Sequence, residues 1–227
     1  MVYLISDLHG YPVGKFKALL ARAGFSEGDT LYVLGDVIDR GTDGVRLLQY
    51  MLEQPNVKPI LGNHEQMMLA CAFLFEKETG YLGMEQRRIW SEWRANGGSP
   101  TIEALRELHP SDRRALFEYV RSFPLYREVS AGGREYVLTH SGISRFQPDK
   151  PLTEYEANDF LWHRPKLRER YYDGKTVVLG HTPTFVFGGA YAGKPFKTET
   201  WVDIDAGVSS GFPPLLIRLE DRKYFTN

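Results

Sequence analysis

Short apolar runs alternate with amphipathic stretches through the first sixty residues, and each run stops at a polar cluster. Val2 to Ile5 precedes Asp7 and His9, Leu31 to Leu34 precedes Gly35-Asp36, and Pro59 to Leu61 precedes Asn63 and His64. Such runs, bounded by turn residues, read as buried strands. Between them, Val13 to Ala23 carries Phe16, Leu19 and Leu20 at helical spacing and closes near Gly24, and Asp43 to Glu53 carries Val45, Leu47, Leu48 and Met51 on one side. Strands alternating with helices predict an α/β architecture whose sheet begins with parallel pairs.

The texture changes after His64. Glu65 to Glu78, Met84 to Ala95, Thr101 to Leu108 and Asp112 to Arg121 all read as helices, separated by Gly80, Asn96-Gly97-Gly98-Ser99-Pro100 and His109-Pro110. This predicts a helical insertion over about 65–123 within one domain spanning 1–227. Strand character returns at Leu125 to Val129 and Arg134 to Thr139, joined through glycines suited to a tight hairpin. Further strands are expected at Thr176 to Leu179, Trp201 to Ile204, Leu215 to Leu219 and Lys223 to Phe225. Thr153-Glu154-Tyr155-Glu156 has the capping-box pattern and predicts a short helix towards Leu161. Thr184 to Thr198, rich in glycine and aromatics, reads as a mobile loop.

Composition narrows the class. A hydrophobic content of 42% and a charged content of 25% in 227 residues fit a globular protein with a substantial core. The net charge of -1 supplies no overall field for nucleic acid or an acidic membrane. Cys71, the lone cysteine, cannot form an intramolecular disulfide and sits among apolar residues as a small buried hydrophobe. The opening apolar run is too short for a signal-peptide core or a membrane span, so a cytoplasmic protein is expected.

The polar clusters carry the chemistry. Besides the first three, Tyr136 to Leu138 precedes His140 and Thr176 to Leu179 precedes His181, so four of the six histidines follow an apolar run. Ligands gather at strand ends in α/β sheets, and the pattern predicts one polar, metal-binding site there. Asp7-Leu8-His9, Gly35-Asp36, Gly62-Asn63-His64-Glu65, His140 and Gly180-His181 together resemble the calcineurin-like metallophosphoesterase superfamily. Gly35-Asp36-Val37-Ile38-Asp39-Arg40-Gly41 with Gly62-Asn63-His64-Glu65 is similar to the phosphoprotein phosphatase family, in its bacterial and bacteriophage branch.

The resemblance implies a two-sheet α/β sandwich with outer helices and a two-metal site at the strand ends. It implies that Asp7, His9 and Asp36 hold one divalent ion, and Asp36, Asn63, His140 and His181 the other, roughly 3.5–4 Å away. Imidazoles with oxygen ligands and no thiolate suit manganese first, then iron or zinc. A water bridging the ions becomes the nucleophile at neutral pH, His64 is the general acid, and Asp39 orients and charges it. Arg40 and Arg164 grip the phosphoryl oxygens together with Asn63. His163 and His109 match no family ligand, and the surface or loop reading is kept for both. Trp93-Arg94-Ala95-Asn96-Gly97-Gly98 also resembles the bacterial branch; it either lines the cleft or simply ends a helix.

The activity so implied is a metal-dependent phosphomonoesterase, a serine/threonine protein phosphatase acting on phosphoproteins or small phosphoesters. A symmetrical dinucleoside tetraphosphate hydrolase is the first alternative; that branch usually lacks the aspartate at Asp39 and ends its third motif in aspartate instead of Glu65. A scaffold that has lost the chemistry would have lost a ligand, and none is missing. The basic run Arg164, Lys166, Arg168 and Arg170 fits an active-site rim better than a nucleic-acid surface, because no broader basic stripe accompanies it.

Overall fold

The computed structural model describes residues 1–76 and 82–226. In chain order the strands are β1 (Val2–Ile5), β2 (Thr30–Val33), β3 (Val57–Pro59), β4 (Tyr126–Ala131), β5 (Arg134–Thr139), β6 (Lys175–Leu179), β7 (Phe196–Lys197), β8 (Trp201–Asp203), β9 (Leu216–Arg218) and β10 (Lys223–Phe225). The helices are α1 (Val13–Ala23), α2 (Gly44–Leu52), α3 (Asn63–Ala70), α4 (Phe73–Glu76), α5 (Met84–Ala95), α6 (Ser99–Glu107), α7 (Pro110–Arg121) and α8 (Ala157–Leu161). Two five-stranded sheets result, ordered β10-β9-β1-β2-β3 and β4-β5-β6-β8-β7. β1, β2 and β3 are parallel, as are β5, β6 and β8. Among the described residues no helix is long and apolar enough to cross a membrane.

The period-2 alternation of β1 explains the layering. Leu4 faces the second sheet and packs with Leu34, Ile60, Leu138, Val178 and Ile204, while Tyr3 and Ile5 face outward. That outer face is covered by Phe16, Leu19 and Leu20 of α1 and by Val45, Leu47, Leu48 and Met51 of α2. Each such side chain, once buried, contributes about 1.5–3 kcal/mol, so the helices are held by packing more than by propensity. The second sheet has its own outer cluster, in which Val137, Val177, Leu179 and Trp201 meet Phe160 of α8. Both sheets are therefore buried on two faces, as parallel strands require.

The inserted helices pack into the same core. Met68, Trp93, Ile102, Leu105, Leu116 and Phe117 join the cluster formed by α1, α2 and the first sheet. The expected helix from Glu65 to Glu78 begins two residues earlier and breaks at Cys71, and a second helix covers Phe73–Glu76; residues 77 and 78, like Gly80, lie outside the described residues. Pro110 starts α7 at a position where its missing N–H costs nothing, and the His109 ring accepts from the Ser111 amide. His109 is thus a loop residue with a capping role.

Several other elements depart from the sequence reading, most by one or two residues at an end. The third strand pairs over Val57–Pro59 instead of Pro59 to Leu61: the exposed Lys58 interrupts the apolar run without interrupting the pairing, Pro59 is tolerated on this edge strand, and after the Ile60 amide has donated to Val33 the Leu61 amide leaves for Pro124. The box that starts α8 is Glu156 with Asp159, since the Asp159 carboxylate accepts from the Glu156 amide at 3.1 Å, and Leu152–Glu154 is a 3-10 turn instead. The stretch from Thr184 to Thr198 is not structureless. It contains 3-10 turns at Thr184–Phe187 and Gly189–Tyr191 and the strand β7, with Phe187 stacked on Phe196 at 4.3 Å. Its aromatics are packing groups, so they hold the segment down. The expected tight hairpin is present: Gly132 and Gly133 join β4 to β5 with φ of 55° and 71°.

Asp159 also receives Arg145 at 2.8 Å. Burial pushes its pKa up, but Arg145 and the Glu156 amide push it further down, so the folded value lies below the ordinary 3.8. Its contribution to stability is therefore complete above pH 3.8 and is lost as pH falls through the folded value. Thermal melting of Asp159→Asn should show a loss of about 1 kcal/mol at pH 7, or ~2–4 °C, closing towards pH 3. A gap that widened on acidification would contradict this role.

Candidate metal centre

Each of the sequence-predicted ligands lies just beyond a strand, where the chain turns sharply. Asp7, His9, Asp36 and His181 have φ of 51°, 42°, 53° and 68°, and Asp39 and Arg40 have 70° and 67°. Among the described residues only Arg145 and Arg222 are further non-glycine residues with positive φ. Left-handed backbone at such residues costs on the order of 1–3 kcal/mol each and survives only where surrounding contacts impose it. Here its effect is to turn side chains from separate strands towards one point. The loops also approach very closely: a Cβ at Gly35 would lie 2.6 Å from the Gly62 Cα and 2.8 Å from His140 Nδ1.

One carboxylate fixes the Asp36 turn. Glu65, the third residue of α3 and fully buried, accepts from the amides of Asp36 at 2.8 Å, Val37 at 2.9 Å, Ile38 at 3.3 Å and Gly62 at 3.1 Å. These amides form a cradle that only an anionic acceptor fills completely. Burial and then the Asp36 charge push its pKa up to about 7, while the Asp36 amide pulls the other way. Sequence reasoning used Glu65 to sort families and missed this role. The available signal was its position three residues after Gly62 at a helix start.

The candidate ligands converge. His9, Asp36 and His64 offer donor atoms within 4.8 Å of one another, as do Asp36, His140 and His181, so Asp36 belongs to both groups. Asp36 Oδ1 is 3.4 Å from His140 Nε2, and Oδ2 is 3.7 Å from His9 Nε2. Asp7 Oδ1 is 3.9 Å from His9 Nε2, and Asn63 Oδ1 is 2.8 Å from His140 Nε2. These separations suit donor atoms arranged about first-row ions, whose metal–donor distances are ~2.0–2.2 Å. The imidazoles are oriented from behind. His140 Nδ1 donates to the Leu34 carbonyl at 2.7 Å and His9 Nδ1 faces the Ile38 carbonyl at 3.3 Å, which leaves each Nε2 lone pair towards the centre. Asp7 is held by the Ser6 hydroxyl and by the His181 amide at 2.9 Å.

The electrostatics also fit a cation. Burial pushes His9 down to about 3 and, with His140, pushes His181 down to about 2, so both rings are neutral donors at neutral pH. Burial and Asp36 push Asp7 up to about 8. Burial raises the pKa of Asp36 too, but the four surrounding histidines outweigh it and hold the carboxyl well below its usual range. A bound divalent ion relieves the repulsion between Asp7 and Asp36. Behind them lie Asp203 and Asp205, both buried and both raised by desolvation, with neighbouring carboxylates adding to the effect.

A second constellation stands beside the first. His64 Nδ1 is 2.6 Å from Asp39 Oδ2, which also receives Trp93 Nε1 at 2.8 Å; Asp39 Oδ1 receives the Thr101 hydroxyl at 2.6 Å. Asp39 is completely buried and is thus held by α3, α5 and α6 together. Burial lowers the pKa of His64, but Asp36 and the bond to Asp39 outweigh it and carry it up to about 9. His64 Nε2 lies 3.7 Å from Asp36 Oδ2 and 3.4 Å from the Arg40 guanidinium. Trp93 and Thr101 were not assigned from sequence. The glycines after Trp93 end α5, and the Gly97 carbonyl accepts from the Arg40 amide at 2.9 Å.

Arg40 and Arg164 lie at the edges. Arg40 donates to Ser209 at 2.8 Å, and Arg164 to the His181 carbonyl at 3.0 Å and to Thr182 at 3.2 Å. His163 lies in a loop, as the surface or loop reading has it, but its side chain is engaged. It is half-buried and paired with Glu169 at 2.6 Å, which also accepts from Tyr171 and so ties down the segment carrying Arg164. In the basic run, Arg170 is paired with Glu199.

This geometry agrees with the comparisons to known proteins. The chain belongs to the calcineurin-like phosphoesterase family, whose model matches residues 1–207. The family is one of hydrolases that use a dinuclear metal centre. A symmetrical bis(5'-nucleosyl)-tetraphosphatase from Acidovorax sp. strain JS42 is 32% identical over 144 residues, which cover 63% of this chain and 44% of that protein. Serine/threonine-protein phosphatase 2 of Salmonella typhimurium strain LT2 is 26% identical over 210 residues, 91% of this chain and 87% of that one. The fold is shared with a solved structure provisionally described as a diadenosine tetraphosphatase, at a TM-score of 0.67 and 16% identity, covering 100% of this chain and 92% of the other. The match spans less than half the length of the curated tetraphosphatases.

Glu65→Gln tests the cradle. Its amide would turn N–H groups towards backbone N–H groups, and metal affinity should fall by about 10–100-fold, as for other residues that orient ligands from behind. Metal titration with an unchanged affinity would show that Asp36 holds its turn without Glu65.

Proposed function

We propose that the chain is a metal-dependent phosphomonoesterase acting on phosphoserine or phosphothreonine in proteins. Asp7, His9 and Asp36 would hold one divalent ion, and Asp36, Asn63, His140 and His181 the second. Manganese suits this donor set of imidazoles and hard oxygens without thiolate, with iron or zinc next. When bound, the pair supplies an activated water and positive charge for in-line displacement at phosphorus.

The rest of the chemistry belongs to the chain. Arg40, Arg164 and Asn63 orient the phosphoryl group by charge-assisted hydrogen bonds. His64, charged by Asp39, donates its Nε2 proton to the departing oxygen. That dyad is the observation that carries the reading. A serine or threonine leaves as a strongly basic alkoxide and needs the proton, whereas the phosphate leaving group of a dinucleoside polyphosphate is already a weak base. The 2.6 Å His64–Asp39 contact, supported by Trp93 and Thr101, is what an alkyl ester demands. Distance alone would also admit His64 as a ligand, and the variant below separates the two roles. The alternative, a symmetrical dinucleoside tetraphosphate hydrolase, draws support from the 32% identity to the Acidovorax enzyme.

His64→Asn should keep both ions bound and slow release of phosphate from a phosphoserine peptide by about 10²–10⁴-fold. The slowing should be much smaller for an aryl phosphate with an acidic phenol. Loss of bound metal in this variant would make His64 a ligand, and the acid role would fall. Asp36→Asn should lose both ions. Wild-type protein, stripped and reloaded with manganese, should release phosphate from the peptide faster than it cleaves diadenosine tetraphosphate; the reverse order would move the function to nucleotide turnover.

A further inference from the structure

The helices inserted after α3 carry a second surface feature, remote from the ligands. A groove of about 660 Å³ is lined by Arg106, Arg113, Arg114 and Arg121 above Phe75 and Phe117. Through Arg106 it continues into a cleft of about 300 Å³ containing Trp90 and Arg94, and from there into one of about 510 Å³ containing Arg87. Counting all three, six arginines face two glutamates among the described residues, Glu103 and Glu118. Glu118 is already paired with Arg121 at 2.6 Å. Among the described residues, neither Arg106 nor Arg114 has a carboxylate partner, and both are exposed.

One end of the trough borders the turn that contacts Arg40. Ala95 and Ser99 line its inner cleft, and between them Gly97 accepts the Arg40 amide at 2.9 Å. Its aromatic floor is covered by the arginines: Arg94 lies over Trp90 at 5.5 Å, Arg113 over Phe75 at 5.4 Å and Arg121 over Phe117 at 5.8 Å. Rings masked in this way offer no open faces for bases to stack on, which argues against single-stranded nucleic acid. Planar guanidinium groups on a rigid helical surface match carboxylates instead.

We propose that this trough docks an acidic polypeptide segment flanking the phosphorylated residue of a protein substrate, with Arg106 and Arg114 as its principal carboxylate contacts. The proposal rests on the protein-phosphatase reading for its biological sense, but docking is measurable without turnover.

The test uses the double variant Arg106→Ala/Arg114→Ala and two phosphoserine peptides, one flanked by glutamates and one by neutral residues. Wild-type protein should prefer the acidic peptide by about tenfold in kcat/KM. The double variant should lose that preference through KM, with kcat and hydrolysis of a small aryl phosphate unchanged. Fluorescence anisotropy with a dye-labelled, unphosphorylated glutamate-rich peptide reads docking alone, and binding to the wild type should weaken about tenfold in the variant and with added salt. If no phosphate is released from either peptide yet this binding and its loss persist, the phosphatase reading fails and the trough stands. Equal binding to wild type and variant overturns the trough, as does tighter binding of an oligonucleotide of matched length.

Discussion

Everything at the site depends on holding the backbone at Asp36 in a left-handed turn, and the Glu65 carboxylate does this by accepting four amides from two loops. The amide of His64 then donates to Asp36 Oδ1 at 3.1 Å, so α3 and the turn after β2 are locked to each other from both sides. A carboxylate in this position is shared by both candidate ligand groups. Without the turn, Asp36 would point elsewhere, and the histidines from β5 and β6 would surround nothing.

The inserted helices extend this logic. Trp93 and Thr101 satisfy the buried carboxylate of Asp39, and Asp39 in turn holds the His64 ring. A completely buried carboxylate without those partners would be strongly destabilising, so the insertion and the dyad stabilise each other. The same helices carry the arginines of the outer trough. The same group of helices thus serves both the orientation of the His64 ring and the surface beside it.

Much of this was legible in the sequence because strand ends leave a local signature. Apolar runs of three or four residues, each followed closely by Asp, Asn or His, located the converging loops, and resemblance supplied the roles. Glu65, Trp93 and Thr101 were harder, since what they do is receive or donate hydrogen bonds across 27 to 62 residues of chain. Nothing in their neighbours reports such a bond. The start of β3 is hidden because the exposed Lys58 separates Val57 from the apolar run that begins at Pro59. The arginine trough was invisible for a related reason: its residues are spread over α5, α6 and α7 and become a stripe only when those helices pack.

The central claim is that Asp36 bridges two ions while His64 stays outside their coordination. Crystals of the manganese-loaded protein, measured for anomalous scattering, test it most directly. The account predicts two peaks on either side of the Asp36 carboxylate, roughly 3.5–4 Å apart, with Asp7 and His9 on one and Asn63, His140 and His181 on the other. A single peak, or a peak coordinated by His64 Nε2, would contradict it.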